Sequence, residues 1–317
     1  TGEISSLGAN CFEGCARLSQ VVLPEALTEF NGSNFKNCTS LQTLTLHGGI
    51  TDLGTSTFEG CSSLATITLP SEIEELGDSL FKDCKSLASI TIPNSVTSIT
   101  IPDSVTSIGM STFENCSTLT QIEIPDAVET LGMFAFQGCT ALQTATLGKG
   151  ITEVDYGTFL GDYALKSVTL PNNLETIGAF SFQGCTALKT LTIPQKVKKI
   201  ANGAFRSTAI KFTLPEGSLF EVKDEMLLSK DGKTIYYVPN TFRGEVVIPN
   251  GIETINGAAF SDCKGVSKAH LPASIREIKL MAFENTSLYQ LILDVVNPSD
   301  IKLGEDVFGK TMDYSRC

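Results

Sequence analysis

Ten cysteines, two histidines and 35 carboxylates are the side chains of this 317-residue chain best suited to chemistry. That many cysteines would ordinarily suggest a disulfide framework. Combined with His47 and His270 they could also form a zinc site or a Cys–His nucleophile pair. The spacings argue against these readings. There is no C-x₂-C pair and no H-E-x-x-H, and the two histidines are isolated from each other. Neither the hydrolase signature G-x-S-x-G nor the phosphate loop G-x-x-x-x-G-K-[ST] occurs. Carboxylates such as Glu74, Glu75, Asp78 and Asp83 fall at variable positions and read as a solvated face. The sequence thus predicts no catalytic residues, no bound metal and no cofactor. It predicts that the protein is not an enzyme.

The cysteines instead follow a period. Phenylalanines recur every 23 residues at Phe12, Phe35, Phe58 and Phe81, then at Phe113, Phe136, Phe159, Phe182 and Phe205. Phe260 and Phe283 share the step, and Phe308 follows slightly later. Three residues after most of them stands Cys: Cys15, Cys38, Cys61, Cys84, Cys116, Cys139, Cys185 and Cys263. The unit reads roughly F-x-x-C-x-x-L-x-x-I-x-I-P-x-x-I-x-x-I-G-x-x-A. Its L-x-x-I-x-I part, as in Leu64–Leu69, ends in the alternation of a half-buried strand. Pro70 and its equivalents cannot donate to a ladder and end that strand. A second short strand follows, then a glycine expected to permit a bend. The small-Phe-x-x-Cys step has local spacing and predicts one 3₁₀ or α-helical turn.

A coil this short cannot bury its own apolar face, so coils must stack. Equivalent residues then form Phe, Leu/Ile and Cys columns. Small, buried, reduced thiols suit such a column, and parallel Cβ vectors suit a bridge poorly. Asp162, Thr208 and Thr286 fill the same slot where Cys is missing. The expected fold is a leucine-rich-repeat solenoid: mostly parallel β coils of 23 residues with short helical turns, curved, carrying one β-hairpin insertion. A single domain is expected, with repeats over 1–215, the insertion over 216–245, and repeats again over 246–317.

Two breaks interrupt the period. Thr91–Ile99 is repeated almost letter for letter as Thr100–Ile108, nine residues that predict a bulge or loop leaving the stack and kinking its curvature. Between Phe205 and Phe260, Asp231-Gly232 has the preferred composition of a type I′ turn joining strands at Met226–Ser229 and Thr234–Val238. This hairpin reads first as a brace and second as a contact element, with Tyr236 and Tyr237 as the candidate contacts.

The outward register of the main strands is the remaining candidate surface. It runs through Thr43, Thr45, Thr66, Thr68, Ser89, Thr91, Gln121, Glu123, Thr144, Thr146, Ser167, Thr169, Thr190 and Thr192, then Lys268 and His270. Threonine is a good strand former, so this hydroxyl strip also has a purely structural explanation. The net charge of -12 repels phosphate, which argues against nucleic acid and anionic membranes as partners. No apolar run approaches a membrane span, so direct insertion is not expected.

The motif Ala135-Phe-Gln-Gly-Cys-Thr-Ala-Leu142, followed by strand, Pro and Ile-x-x-Ile-Gly, resembles the BspA-type leucine-rich repeats. The resemblance spans Ile4 to about Phe308, and the Met226–Pro239 segment also resembles an insertion that recurs in that family. It implies a surface-exposed or secreted protein, with its signal segment outside this chain. It further implies adhesion or binding to an extracellular or host protein, or to a glycan; the sequence leaves the oligomeric state open, with a monomer favoured. The alternative is a structural spacer presenting another domain of a longer surface protein.

Overall fold

A computed structural model describes residues 4–91, 99–294 and 297–309. It is a β-solenoid: among the described residues the only helix is a single 3₁₀ turn at Pro298–Asp300. The chain divides into two compact units, Thr1–Leu174 and Glu175–Cys317.

In the first unit the main strands pair in parallel at equivalent repeat positions. Thr43, Leu44 and Thr45 lie beside Thr66, Ile67 and Thr68. Gln121–Glu123, Thr144–Thr146 and Ser167–Thr169 pair in the same register. The alternation read from the sequence follows: Leu44, Ile67 and Ile122 are buried, while Thr43, Thr45, Thr66 and Gln121 are exposed. Phenylalanines form the expected column. Phe12, Phe35, Phe58, Phe81, Phe113, Phe136 and Phe159 stack successively with centroids 5.3–5.8 Å apart and planes within 15°. Each stacked pair contributes about 0.5–1.5 kcal/mol beyond its buried area.

The corner carrying each Phe is not a helix, contrary to the sequence expectation. Its N–H groups alternate between two uses. Lys36 and Cys38 donate within the corner, to the carbonyls of Ser33 and Phe35. Ser33, Phe35 and Asn37 donate instead to Thr55, Thr57 and Glu59 of the next coil. Half of the donors a helix needs are therefore spent between coils. Two left-handed residues flank the Phe of each coil from Phe12 to Phe283 to allow this, as Ser33 (φ 51°) and Asn37 (φ 60°) do around Phe35. The glycine of the repeat also serves another purpose than bending. A Cβ on Gly77 would lie 2.7 Å from the Gly54 carbonyl, so the small residue lets adjacent coils approach.

The tandem duplication divides the main sheet of this unit. Ser89–Thr91 pairs with Thr66–Thr68 on one side, and Ile99–Thr100 pairs with Ile122 and Glu123 on the other. The second strands pass the duplication unbroken, with Glu75–Leu76 beside Ser107–Ile108. Much of the duplication from which a bulge or loop is expected, residues 92–98, lies outside the described residues.

The second unit contains the insertion, which is larger than the predicted hairpin. Phe220–Lys223, Met226–Ser229 and Thr234–Tyr237 form an antiparallel meander. Its last strand joins the parallel ladder beside Thr254–Ile255. The two-residue turn with both φ values positive is at Asp224 (49°) and Glu225 (64°), not at Asp231-Gly232. The segment between Ser229 and Thr234 is a longer loop with only Gly232 (φ 69°) left-handed. It is closed by side chains: Ser229 Oγ donates to Asp231 Oδ1 and accepts from the Thr234 N–H. The Ser229 hydroxyl, with the Lys233 N–H, holds the Asp231 carboxyl below the usual range.

Tyr237 takes the place of an aromatic rung at the insertion. Its ring meets Phe205 and Phe212 edge-on, at 5.8 and 5.4 Å. Its hydroxyl accepts from the Ile210 N–H and donates to the Thr208 carbonyl. Beyond it, Phe260, Phe283 and Phe308 stack again. Arg206 fastens the corners of this unit, with Nε 3.2 Å from Asp262 and its second amino group 2.7 Å from Glu284.

Candidate binding faces

The solenoid interior is filled. The Cys column shows how its polar atoms are satisfied: the thiols of Cys38, Cys61, Cys84, Cys116 and Cys139 donate to the carbonyl of the Phe one coil back, and Cys263 reaches the Val238 and Pro239 carbonyls instead. Cys38 reaches Phe12, Cys61 reaches Phe35 and Cys84 reaches Phe58, each at 3.1 Å. Burial pushes the Cys38 thiol up to about 11 and the Cys61 and Cys263 thiols up to about 12. These are packing groups, unsuited to nucleophilic attack at neutral pH. All nine described cysteines are free thiols, and only Cys11 and Cys15 are exposed. Asp162 occupies the Cys slot with both oxygens buried, and burial raises its carboxyl well above the usual range against the lowering effect of the Cys139 and Gly138 backbone.

The two histidines lie on the surface and serve local ends. His47 Nε2 lies 2.9 Å from the Pro24 carbonyl, and its Nδ1 accepts from the Gly49 N–H. His270 pairs with Glu245 at 2.6 Å. Among the described residues no group of three or more His, Cys, Asp or Glu side chains could hold a metal ion. An open groove of about 520 Å³ runs along the second strands of the first unit, lined by Glu75, Asp78, Glu129, Glu153 and Asp155. Its other lining residues are hydroxylic or apolar, with no histidine, lysine or cysteine to serve as a catalytic partner.

The outward register of the main strands is therefore the main built surface. Thr43, Thr45, Thr66, Gln121, Glu123, Thr144, Thr146, Ser167 and Thr169 are exposed and Thr68 is half-buried. The side chains of Ser89 and Thr91 lie outside the described residues. Pairing brings these residues into two rows, with Thr144 beside Ser167 and Thr146 beside Thr169. In the second unit Thr190 and Thr192 are exposed, beside Lys211 and Thr213. Lys268 and His270 lie half-exposed between Glu245 and Val247 on one side and Gln290 and Ile292 on the other.

The structure adds two residues that sequence reasoning passed over. Tyr289 is 72% exposed, with the Lys268 ammonium 6.0 Å from its ring centre, and Val247 is 64% exposed. Here the face gains the aromatic and aliphatic anchors that the threonine rows lack. An aromatic just before the last main strand was the available signal. Of the hairpin pair, Tyr237 is buried and belongs to the interior, while Tyr236 is half-buried against Phe220 at 5.3 Å.

Comparison with known proteins agrees with this architecture. The BspA type leucine rich repeat region matches in six copies, over residues 1–100, 95–211 and 236–312. The chain belongs to this family. A leucine rich cell surface protein of Faecalibacterium prausnitzii is similar in structure, with 23% identity and a TM-score of 0.59 over 94% of this chain and 78% of that one. A leucine-rich repeat protein of Bacteroides ovatus shares 20% identity with a TM-score of 0.53, over 98% and 88%. The T. pallidum leucine rich repeat protein TpLRR is 30% identical over 54% of this chain and 78% of its own, with a TM-score of 0.48. A comparison with curated proteins gave no match. Among the described residues no helix is long and apolar enough to cross a membrane.

Proposed function

We propose that the protein is a cell-surface or secreted binding module that engages an extracellular or host protein, or a glycan, through the outward face of its main strands. One observation carries this reading. Within each main sheet, parallel pairing sets exposed side chains from successive coils into rows on a scaffold whose interior is filled. Such surfaces are where repeat proteins bind. The F. prausnitzii neighbour, described as a cell surface protein, supports the compartment.

The test is a binding comparison on immobilised full chain, using extracellular-matrix proteins and a glycan array. One variant carries Thr66→Glu with Thr144→Glu, and a second carries Tyr289→Ala with Val247→Ala. Binding to a matrix protein or glycan that weakens about tenfold or more in either variant supports the face. Binding that survives both variants removes it.

A further inference from the structure

The main sheet of the second unit has an edge that the fold leaves open. Lys211–Thr213 pairs with Thr190–Thr192 on one side, and among the described residues nothing pairs with its other side. The Lys211 N–H and the Thr213 carbonyl serve the paired side, meeting the Lys189 carbonyl and the Ile193 N–H. In a parallel ladder the intervening residue then presents its N–H and C=O to the opposite edge. That residue is Phe212. The neighbouring edge donor, the Ile210 N–H, is already taken by the Tyr237 hydroxyl. Phe212 thus marks the start of the free edge.

Beside this edge lies a groove of about 340 Å³, lined by Ala209, Ile210, Phe212, Val222, Pro239 and Thr241, with Lys211 and Glu225 at its borders. Val222 and Glu225 come from the tip of the meander, where Asp224 and Glu225 both hold left-handed backbone. Val222 is 46% exposed although apolar. Lys211 and Glu225, both lining the groove, enter no ion pair among the described residues.

We propose that this groove binds an extended polypeptide segment of a partner, which adds a strand to the free edge of Lys211–Thr213. Its main chain meets the Phe212 N–H and C=O. One apolar side chain enters between Phe212, Val222 and Pro239, and flanking acidic and basic residues meet Lys211 and Glu225. A sheet face alone would accept many shapes. An unpaired backbone edge with two unpaired charges of opposite sign selects an extended chain of that pattern. The site uses none of the residues replaced in the preceding test, so those variants leave it intact and the two readings fail separately.

A display library of random peptides about eight residues long, enough for a typical strand, tests this against the full chain. Enriched peptides should pair an apolar residue with neighbouring acidic and basic ones. Their affinity should fall about tenfold in Val222→Asp, and also in Lys211→Glu, which lies on the surface and leaves the core untouched. Hydrogen exchange at the Phe212 amide should slow when such a peptide is bound. The proposal is overturned if no peptide is enriched, if enriched peptides bind both variants as tightly as the parent, or if Phe212 exchange is unchanged. Concentration-dependent dimerisation abolished by the same two variants, without peptide enrichment, would assign the edge to a second copy of the chain and also overturn it.

Discussion

Replacing Asp162 by Asn should alter how stability depends on pH. Asp162 stands in the Cys column, fully buried, with the Cys139 and Gly138 backbone opposing the effect of burial only in part. Burial lifts its carboxyl well above the usual range, so the fold holds it protonated. In the unfolded chain an aspartate titrates near about pH 3.9. Between the two titrations the folded protein carries one more proton than the unfolded chain. Stability therefore falls as pH rises through that window, by about 1.4 kcal/mol per unit at full slope. Asn cannot titrate and removes the slope. Urea denaturation of both proteins across a pH series above the unfolded titration, at constant ionic strength, should show the parent losing stability relative to Asp162→Asn as pH rises. All other titrating groups are common to both and cancel in the difference. A difference that stays constant with pH would show that the carboxyl is ionised or solvated in the fold, and would refute the reasoning. Asp162→Cys goes further. It would aim a thiol at the Phe136 carbonyl, as Cys139 does at Phe113 at 3.1 Å, and should be more stable than the parent at neutral pH.

The remaining predictions concern packing and accessibility. Arg206→Ala removes the partner of the part-buried Asp262 and Glu284, and should cost about 2–4 kcal/mol in chemical denaturation; a loss below about 0.5 kcal/mol would show that the pairs are solvated. Tyr237→Phe leaves the Ile210 N–H without its acceptor and should cost about 1–3 kcal/mol, read in the same assay. A thiol reagent at neutral pH should label Cys11 and Cys15 in the native protein, while Cys38, Cys61, Cys84, Cys116, Cys139, Cys185 and Cys263 react only on denaturation, as peptide mapping would show. Rapid native labelling of any of those seven would contradict the closed column.

Some features were readable from residue order and others were not. Leu44, Ile67 and Ile122 were placed inside, and their threonine neighbours outside, from alternation alone. The corner was misread because F-x-x-C spacing looks helical, whereas the donors at Ser33, Phe35 and Asn37 are claimed by the next coil. No local pattern reveals that competition. The insertion misled in a similar way. Asp231-Gly232 has the better turn composition, yet the tight turn formed at Asp224-Glu225 because the strands on either side pair there. Tyr289 was passed over since its repeat has Thr286 in place of Cys and a weakened motif around it.

By itself the sequence determined the coil, its length and its interior columns. A 23-residue period with one Phe and one small Cys-like slot per turn leaves only stacking as a way to bury the apolar residues. Tertiary structure alone decided which backbone groups bond between coils, where the sheets break, and which edge stays open at Phe212. Those outcomes depend on neighbours that are adjacent in space and more than twenty residues away in the chain.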